Sequence, residues 1–240
     1  MINFEVFYWQ ADPHPTIQGG KQWIYVGTES ELQYPGTASF TPGAVITVPA
    51  GKDNSLRLTG LRTLTSGTFT ANEALTIFGQ PFNPGDYTNV HSEFYNVKLS
   101  YEYLSWPYPV TDSKFRLKTL WEMQYVTIRS IISGPIIVNS DGTYSQSSAV
   151  ESRWFIFPTF GLAAEYSFNK RFRVEVRGSA FGWPHRSDLY DTQAEATYRR
   201  HQFELLAGYK FFYYKTSPQS DEYLHSKVPG PYLGIRYNLQ

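Results

Sequence analysis

The chain has no cysteine. Disulfide cross-links, thiolate nucleophiles and cysteine-ligated metals are therefore excluded. No apolar run approaches the roughly 20 residues that a transmembrane helix requires. Net charge is also missing: 21 Lys and Arg balance 21 Asp and Glu. No basic surface asks for nucleic acid, and no acidic tail suggests a solvated arm. Helical periodicity is absent too, since no segment sustains apolar positions at three-and-four spacing. Histidine is sparse, and His14, His91, His185, His201 and His225 lack metal-ligand spacing. Asp141-Gly142 is a turn dipeptide without the other acids of a calcium loop. Gly19-Gly20 and Gly79 do not sit in a phosphate-binding strand-to-helix context. The sequence thus calls for no metal and no cofactor.

Aromatic residues are abundant instead, at 18% of the chain, with 19 Tyr and 17 Phe. They fall in an alternating pattern that is clearest from Val90 to Ile131. Tyr95, Val97, Leu99, Tyr101 and Tyr103 share one face, while Asn96, Lys98, Ser100 and Glu102 share the other. After Trp106-Pro107-Tyr108-Pro109, Phe115, Leu117, Trp121, Met123 and Tyr125 alternate with Arg116, Lys118, Glu122 and Gln124. Period two means strands, with one apolar and one charged face. These runs exceed the usual five or six residues of a soluble strand.

The same rhythm recurs along residues 1–240, read as a single domain. Strands are expected at 2–9, 39–48, 56–61, the organising pair, 151–168, 172–180, 190–198, 203–213 and 233–239. Residues 10–37, 65–88, 133–148 and 216–227 read as loops. A short strand at Trp23–Val26 and a small hairpin within Leu75–Phe82 are expected inside two of them. Connections alternate between mostly long and short. An apolar face rich in rings at its ends, backed by a face carrying both charge signs, suits an antiparallel up-and-down transmembrane β-barrel, apolar outside and polar inside. Ten strands place both termini on the short-turn side. Eight or twelve stay open because residues 20–85 are ambiguous. Mean hydropathy of −0.39 does not oppose this fold, because only alternate residues face lipid. No export signal precedes Ile2–Trp9, so a mature domain with an added initiator Met is expected, a cytosolic protein being the rival.

The last strand reads Pro231-Tyr232-Leu233-Gly234-Ile235-Arg236-Tyr237-Asn238-Leu239-Gln240. It resembles the C-terminal β-signal of outer-membrane barrels. Gly234 and Tyr237 match that pattern, and Leu239 stands where Phe or Tyr is usual. Over most of its length the chain resembles the small single-chain barrels of Gram-negative outer membranes. The resemblance implies residence in the cell outer membrane, contact with its lipid, and insertion by the barrel-assembly machinery through the last strand.

The polar face carries Glu5, Arg57, Lys98, Glu102, Arg116, Lys118, Glu122, Glu165, Arg173, Glu175, Arg177, Asp191, Glu195, Glu204, Lys210 and Arg236. Acids and bases are equal in number. A barrel of about ten strands leaves little more than side-chain space inside. Charges there must pair, because an unpaired buried charge is costly. The expectation is a charge-paired lumen in a non-enzymatic barrel, structural or a narrow channel, with long external loops available to a ligand the sequence does not name. The alternative is a rim-active barrel enzyme. Ten-stranded barrels include the omptin-type proteases, which the chain resembles in size only, and lipid A-modifying barrel acyltransferases and deacylases would use a rim His with Ser. His185, Ser187, Asp188 and Asp191 lie near one outer loop, and His91 heads a strand. No motif links them, and a His beside Asp in a loop is ordinarily a solvated turn. A soluble lipocalin-like barrel would leave the Tyr- and Trp-rich faces exposed to water.

Overall fold

In a computed structural model of the chain, residues 2–19, 31–33, 39–71, 74–77, 80–107, 113–183, 187–216 and 222–239 are described. Strands fill most of them: β1 (Ile2–Ala11), β2 (His14–Gly19), β3 (Glu31–Gln33), β4 (Ser39–Pro49), β5 (Ser55–Thr70), β6 (Leu75–Ile77), β7 (Gln80–Phe82), β8 (Tyr87–Trp106), β9 (Phe115–Val138), β10 (Tyr144–Ser167), β11 (Phe172–Trp183), β12 (Ser187–Arg200), β13 (Phe203–Lys215) and β14 (Glu222–Leu239). Ten of these, β1, β4, β5 and β8 to β14, pair in that order as antiparallel neighbours. The sheet closes on itself through β1 and β14, with Ile2 opposite Leu239 and Trp9 opposite Tyr232. Closure removes the unpaired edges that an open sheet would present. Where β1 stops, β2 takes over the exposed end of β14, and β3 pairs with β2. The expected hairpin at 75–82 is present as β6 and β7.

Outward positions follow the alternation. Phe4, Val6, Leu58, Val97, Leu99, Met123, Leu162, Val176, Leu205 and Ile235 are all exposed. Rings gather toward the turn end of this band. Tyr166 meets Phe168 at 4.9 Å, Phe168 meets Phe172 at 5.4 Å, and Phe203 meets Tyr237 at 5.1 Å, all between centroids. Such an apolar belt with an aromatic rim is the outer surface of a membrane-spanning barrel.

The belt has a visible upper limit. Beyond Leu58, Val97 and Tyr125, outward positions become Arg62, Glu93, Arg129 and Ser152. Glu93 Oε1 accepts hydrogen bonds from Arg62 Nε at 2.8 Å and from the Tyr95 hydroxyl at 2.7 Å. These bonds hold the Glu93 carboxyl below its ordinary range, the Tyr95 contribution being the larger. A strand needs about 9–11 residues to cross a bilayer. With 24 residues each, β9 and β10 run on well past that limit, as do β5 and β8 with 16 and 20. On the opposite side β11, β12 and β13 have only 12 to 14. The wall is therefore tall on one side and low on the other.

This height corrects the expected loops. Most of 133–148 is strand, and the connection is the five-residue turn 139–143, where Asn139 N–H donates to the Thr143 carbonyl at 2.8 Å and Gly142 takes a φ of 80°. Residues 65–70 extend β5, 222–227 belong to β14, and β2 and β3 lie within 10–37. Ser-, Gly- and Asn-rich composition reads as loop, yet above the apolar belt nothing requires outward residues to be apolar, and backbone pairing continues regardless. The expected strand at Trp23–Val26 and residues 108–112 of the Trp-Pro-Tyr-Pro turn lie outside the described residues.

Two inward rings lie over glycines of a neighbouring strand. A Cβ at Gly43 would lie 2.1 Å from the Phe7 ring, and one at Gly208 would lie 2.6 Å from the Tyr232 ring and 2.3 Å from the Ala194 carbonyl. Only glycine lets these rings settle flat against the wall.

Candidate functional site

The barrel interior has two tiers. The tier nearer the turns is ionic and takes residues from most strands. Its hub is Arg236 on β14. The guanidinium donates to Glu5 Oε2 through Nε (3.0 Å) and Nη2 (2.8 Å), to Glu204 Oε2 through Nη1 (2.9 Å), and to Glu195 Oε1 through Nη2 (3.1 Å). Glu204 is shared with Arg173 at 3.1 Å, and Glu195 also accepts from the Tyr232 hydroxyl at 2.7 Å. A second cluster surrounds Glu102, which pairs with Arg177 and, at 3.4 Å, with Lys118. Arg177 also faces Glu175 at 3.3 Å, and Lys118 faces Glu165 at 3.7 Å. Deeper in, Asp191 is held by Lys98 at 2.7 Å and Lys210 at 2.6 Å, and Lys98 approaches Glu122 at 3.6 Å. Ser100 and Thr159 donate to the two oxygens of Glu122 at 3.0 and 3.2 Å. Pairs such as Lys98 with Asp191 and Arg177 with Glu102 join non-adjacent strands, so they cross the lumen.

Of the sixteen charges assigned to the polar face, all eight acids and seven of the eight bases form ion pairs. Arg116 is the remaining base. It lines the turn-side mouth of the lumen, and its side chain forms no ion pair or hydrogen bond with any described residue. Charges removed from water need such satisfaction, because an unpaired buried charge is costly.

The tier toward the loops is apolar, which the sequence reading did not expect. Trp9, Val90, Val126, Ile128, Ile132, Phe157, Leu189, Phe212, Tyr214 and Val228 are buried together, with Phe94, Phe155 and Phe181 packed against them. Phe94 lies 5.1 Å from Phe212 and 5.6 Å from Tyr214, and Phe157 lies 5.5 Å from Phe181. Trp9 joins the tiers: its indole N–H donates to the Gly230 carbonyl at 3.1 Å and its ring lies 5.8 Å from Lys210 Nζ. A signal for this tier exists in the sequence. Runs such as Trp154-Phe155-Ile156-Phe157 and Phe211-Phe212-Tyr213-Tyr214 are apolar on both faces, and a strand apolar on both faces must bury the inner one.

The candidate rim chemistry is dispersed. His185 lies outside the described residues. Asp191 is locked inside by two lysines, away from any rim. Ser187 and Asp188 open β12. His14 pairs with Asp12 at 3.3 Å. His91 instead meets a residue the sequence reading passed over: Ser66 Oγ lies 3.1 Å from its Nδ1, on the outward face above the apolar belt. Among the described residues no three His, Asp or Glu side chains are grouped to hold a metal. The β-signal residues end β14. The ring of Tyr237 packs on Phe203, its hydroxyl donates to Gln202 at 3.0 Å, Gly234 lies under Phe7, and Leu239 is exposed opposite Ile2.

A closed antiparallel ten-stranded barrel, apolar outside and charge-paired within, is the architecture of a small outer-membrane β-barrel. No protein-family model matches the chain, and no curated protein matches it in sequence. Solved structures do. The outer-membrane protease OmpT of Escherichia coli superposes with a TM-score of 0.66 over 99% of this chain and 96% of that one, at 11% identity. The toluene transporter TodX of Pseudomonas putida gives 0.37 at 9% identity, covering 100% and 90%. Neisserial surface protein A gives 0.32 at 10%, covering 99% and 97%. At 11% identity the likeness to OmpT is one of fold.

Proposed function

We propose that the protein is a non-enzymatic, non-conducting barrel of the outer membrane, a structural element whose tall β5–β8–β9–β10 wall presents a mixed polar and apolar face outside the cell to a partner. The observation that carries this reading is the double closure of the lumen. Ion pairs span the turn-side half and packed rings fill the loop-side half. Either tier alone would block a solute, so the structural role stands ahead of the narrow channel. With both termini at the turn end, that end faces the periplasm, and the Gly234–Leu239 strand is the segment offered to the assembly machinery.

A planar-bilayer recording tests the reading. The unmodified protein is expected to stay silent. Replacing Arg116, Lys118 and Arg177 by Ser is expected to leave it closed, because the rings remain. Conductance is expected only when Phe157→Ala and Phe212→Ala are added. A large steady pore in the unmodified protein would refute it.

The alternative, a rim-active enzyme, is favoured by one observation, the Ser66–His91 hydrogen bond. A nucleophile within reach of a base is the minimum for ester hydrolysis. No described carboxylate orients the ring, which is why this reading stands second. Hydrolysis of a lipid ester by the purified barrel, abolished by Ser66→Ala, would place it first.

A further inference from the structure

The outward belt is not evenly convex. A groove of about 700 Å³ crosses it where β11, β12, β13, β14 and β1 run side by side. It begins at the turn end, where Phe172 opens β11, and one rung of the ladder carries it through Tyr198, Leu205 and Ile235 to Val6. On the next rung Ala196 stands opposite Ala207. These two alanines form the floor, because a methyl group stands far lower than the leucines and tyrosines around it. Neighbouring strands lie about 4.8 Å apart, so the five-strand rung runs about 19 Å. That exceeds the roughly 15 Å of hydrocarbon belonging to one leaflet, half of a core about 30 Å thick. One acyl chain fits along it, and a groove in the belt meets hydrocarbon rather than water.

Cations stand at the turn end of this groove. On β12 Arg200 follows Tyr198 on the outward face, one pleat or about 7 Å nearer the turn. It pairs in register with Phe203 of the aromatic rim, which marks headgroup depth. Lys170 and Arg171 directly precede Phe172 in an exposed turn. The two turn ends touch, since Arg199 N–H donates to the Arg171 carbonyl at 2.7 Å. The side chains of Lys170, Arg171 and Arg200 make no ion pair with any described residue. No acid lies in residues 166–172 or 198–203. The next one, Glu204, is buried in the lumen, where Arg173, Arg199 and Arg236 hold it. An apolar groove ending at uncompensated cations complements a lipid with an anionic headgroup. We propose that it binds one anionic glycerophospholipid, an acyl chain lying over Ala196 and Ala207 and the headgroup between Arg200 and the Lys170-Arg171 turn. The orientation proposed above puts that lipid in the leaflet facing the periplasm; the groove and its cations do not depend on whether the barrel conducts or catalyses.

Native mass spectrometry of the folded barrel in detergent, titrated with phosphatidylglycerol or with phosphatidylcholine of the same chains, tests this. One phosphatidylglycerol per chain is expected to stay bound at concentrations where phosphatidylcholine does not. Each cation lost at headgroup level should weaken binding roughly fivefold, so Arg200→Gln does so alone and Lys170→Gln, Arg171→Gln and Arg200→Gln together reach about a hundredfold. Ala207→Phe fills the floor of the groove and should abolish the one-lipid peak. Val97→Phe, on the far side of the belt, and Arg129→Gln, beyond its upper limit, should bind as the unmodified protein does. Heat-modifiable gel mobility reports folding, and where Ala207→Phe does not fold, the exposed turn variants decide. Equal retention of the two lipids, unchanged affinity in the triple variant, or equal effects of Ala207→Phe and Val97→Phe would each overturn the proposal. A dimer present without lipid and lost in Ala207→Phe would overturn it too, giving the groove to a second copy. Tighter binding of lipid A than of phosphatidylglycerol through the same three cations would overturn both the phospholipid and the orientation.

Discussion

Replacing Arg236 by Met tests whether the lumen charges act as one network. The side chain is buried and makes four charge-assisted hydrogen bonds to Glu5, Glu195 and Glu204. Removing one partner of a buried pair costs about 3–5 kcal/mol, because the other charge is stranded. Here the stranding is partial. Glu204 keeps Arg173 at 3.1 Å, and Glu195 keeps the Tyr232 and Thr197 hydroxyls at 2.7 and 3.0 Å. Glu5 is worst placed, retaining only Arg57 at 3.8 Å. The expected loss is therefore near the lower end, about 3 kcal/mol, read from the guanidinium unfolding midpoint of the folded barrel in detergent. Neutralising the stranded acid should undo part of it. Glu5→Gln destabilises on its own, yet in the Arg236→Met background it should recover about 1 kcal/mol, a coupling that a double-mutant cycle isolates. A single variant within about 1 kcal/mol of the unmodified protein, or a double variant equal to the sum of the singles, would show that the lumen charges are solvated individually.

Three further expectations are independent of that network. Leu99 lies in the middle of the outward belt, so Leu99→Arg should cost about 2–4 kcal/mol and lower the yield of folded barrel, while Ser152→Arg, beyond the belt, should be tolerated; equal effects would misplace the belt's upper limit. Gly208→Val forces a side chain against the Ala194 carbonyl and the Tyr232 ring, and is expected to lose about 1–3 kcal/mol in the same unfolding assay, where an unchanged midpoint would mean the ring moves freely. The Glu93 carboxyl is held low by the Tyr95 hydroxyl and by Arg62, so its stabilisation is present above the unfolded carboxyl value of about 4.3 and fades as pH falls through the folded value. The stability gap between the unmodified protein and Glu93→Gln should accordingly be open at neutral pH and close in acid, and a gap independent of pH would remove Glu93 from the account.

Period-two alternation made the ten barrel strands legible because lipid outside and charge inside impose opposite demands on successive residues. Val97 and Lys98, or Ile235 and Arg236, differ as sharply as neighbours can. The same alternation sets Lys98, Glu102, Arg177 and Arg236 on one face. It cannot say that Lys98 reaches Asp191 or that Arg236 gathers three acids, since those contacts depend on which strands stand opposite across the closed lumen. Above the belt the contrast fades. Residues 126–138 and 144–153 meet water outside and other side chains inside, so Ser, Ile and Val mix, and the composition of 133–148 mimics a loop. Both-face apolar runs such as Phe211–Tyr214 were legible as strand, but alternation alone does not show that the inner rings of several strands pack into one apolar tier. The Ser66–His91 contact had no sequence signature at all, because its members sit 25 residues apart and meet only through the pairing of β5 with β8.

The seam between β1 and β14 makes the chain nearly a ring. Ile2 stands directly opposite Leu239, and eight consecutive positions pair antiparallel across the joint. Once folded, the barrel gains little from where its ends lie. A short linker from residue 239 to residue 2, with new ends cut into the turn 139–143, should preserve every rung of the ladder and most of the stability. Such a rearranged chain would carry a different last strand, however, and Gly234–Leu239 would become an internal hairpin. If the proposed β-signal is what directs delivery, folding into detergent and delivery into a cell's membrane would then part company.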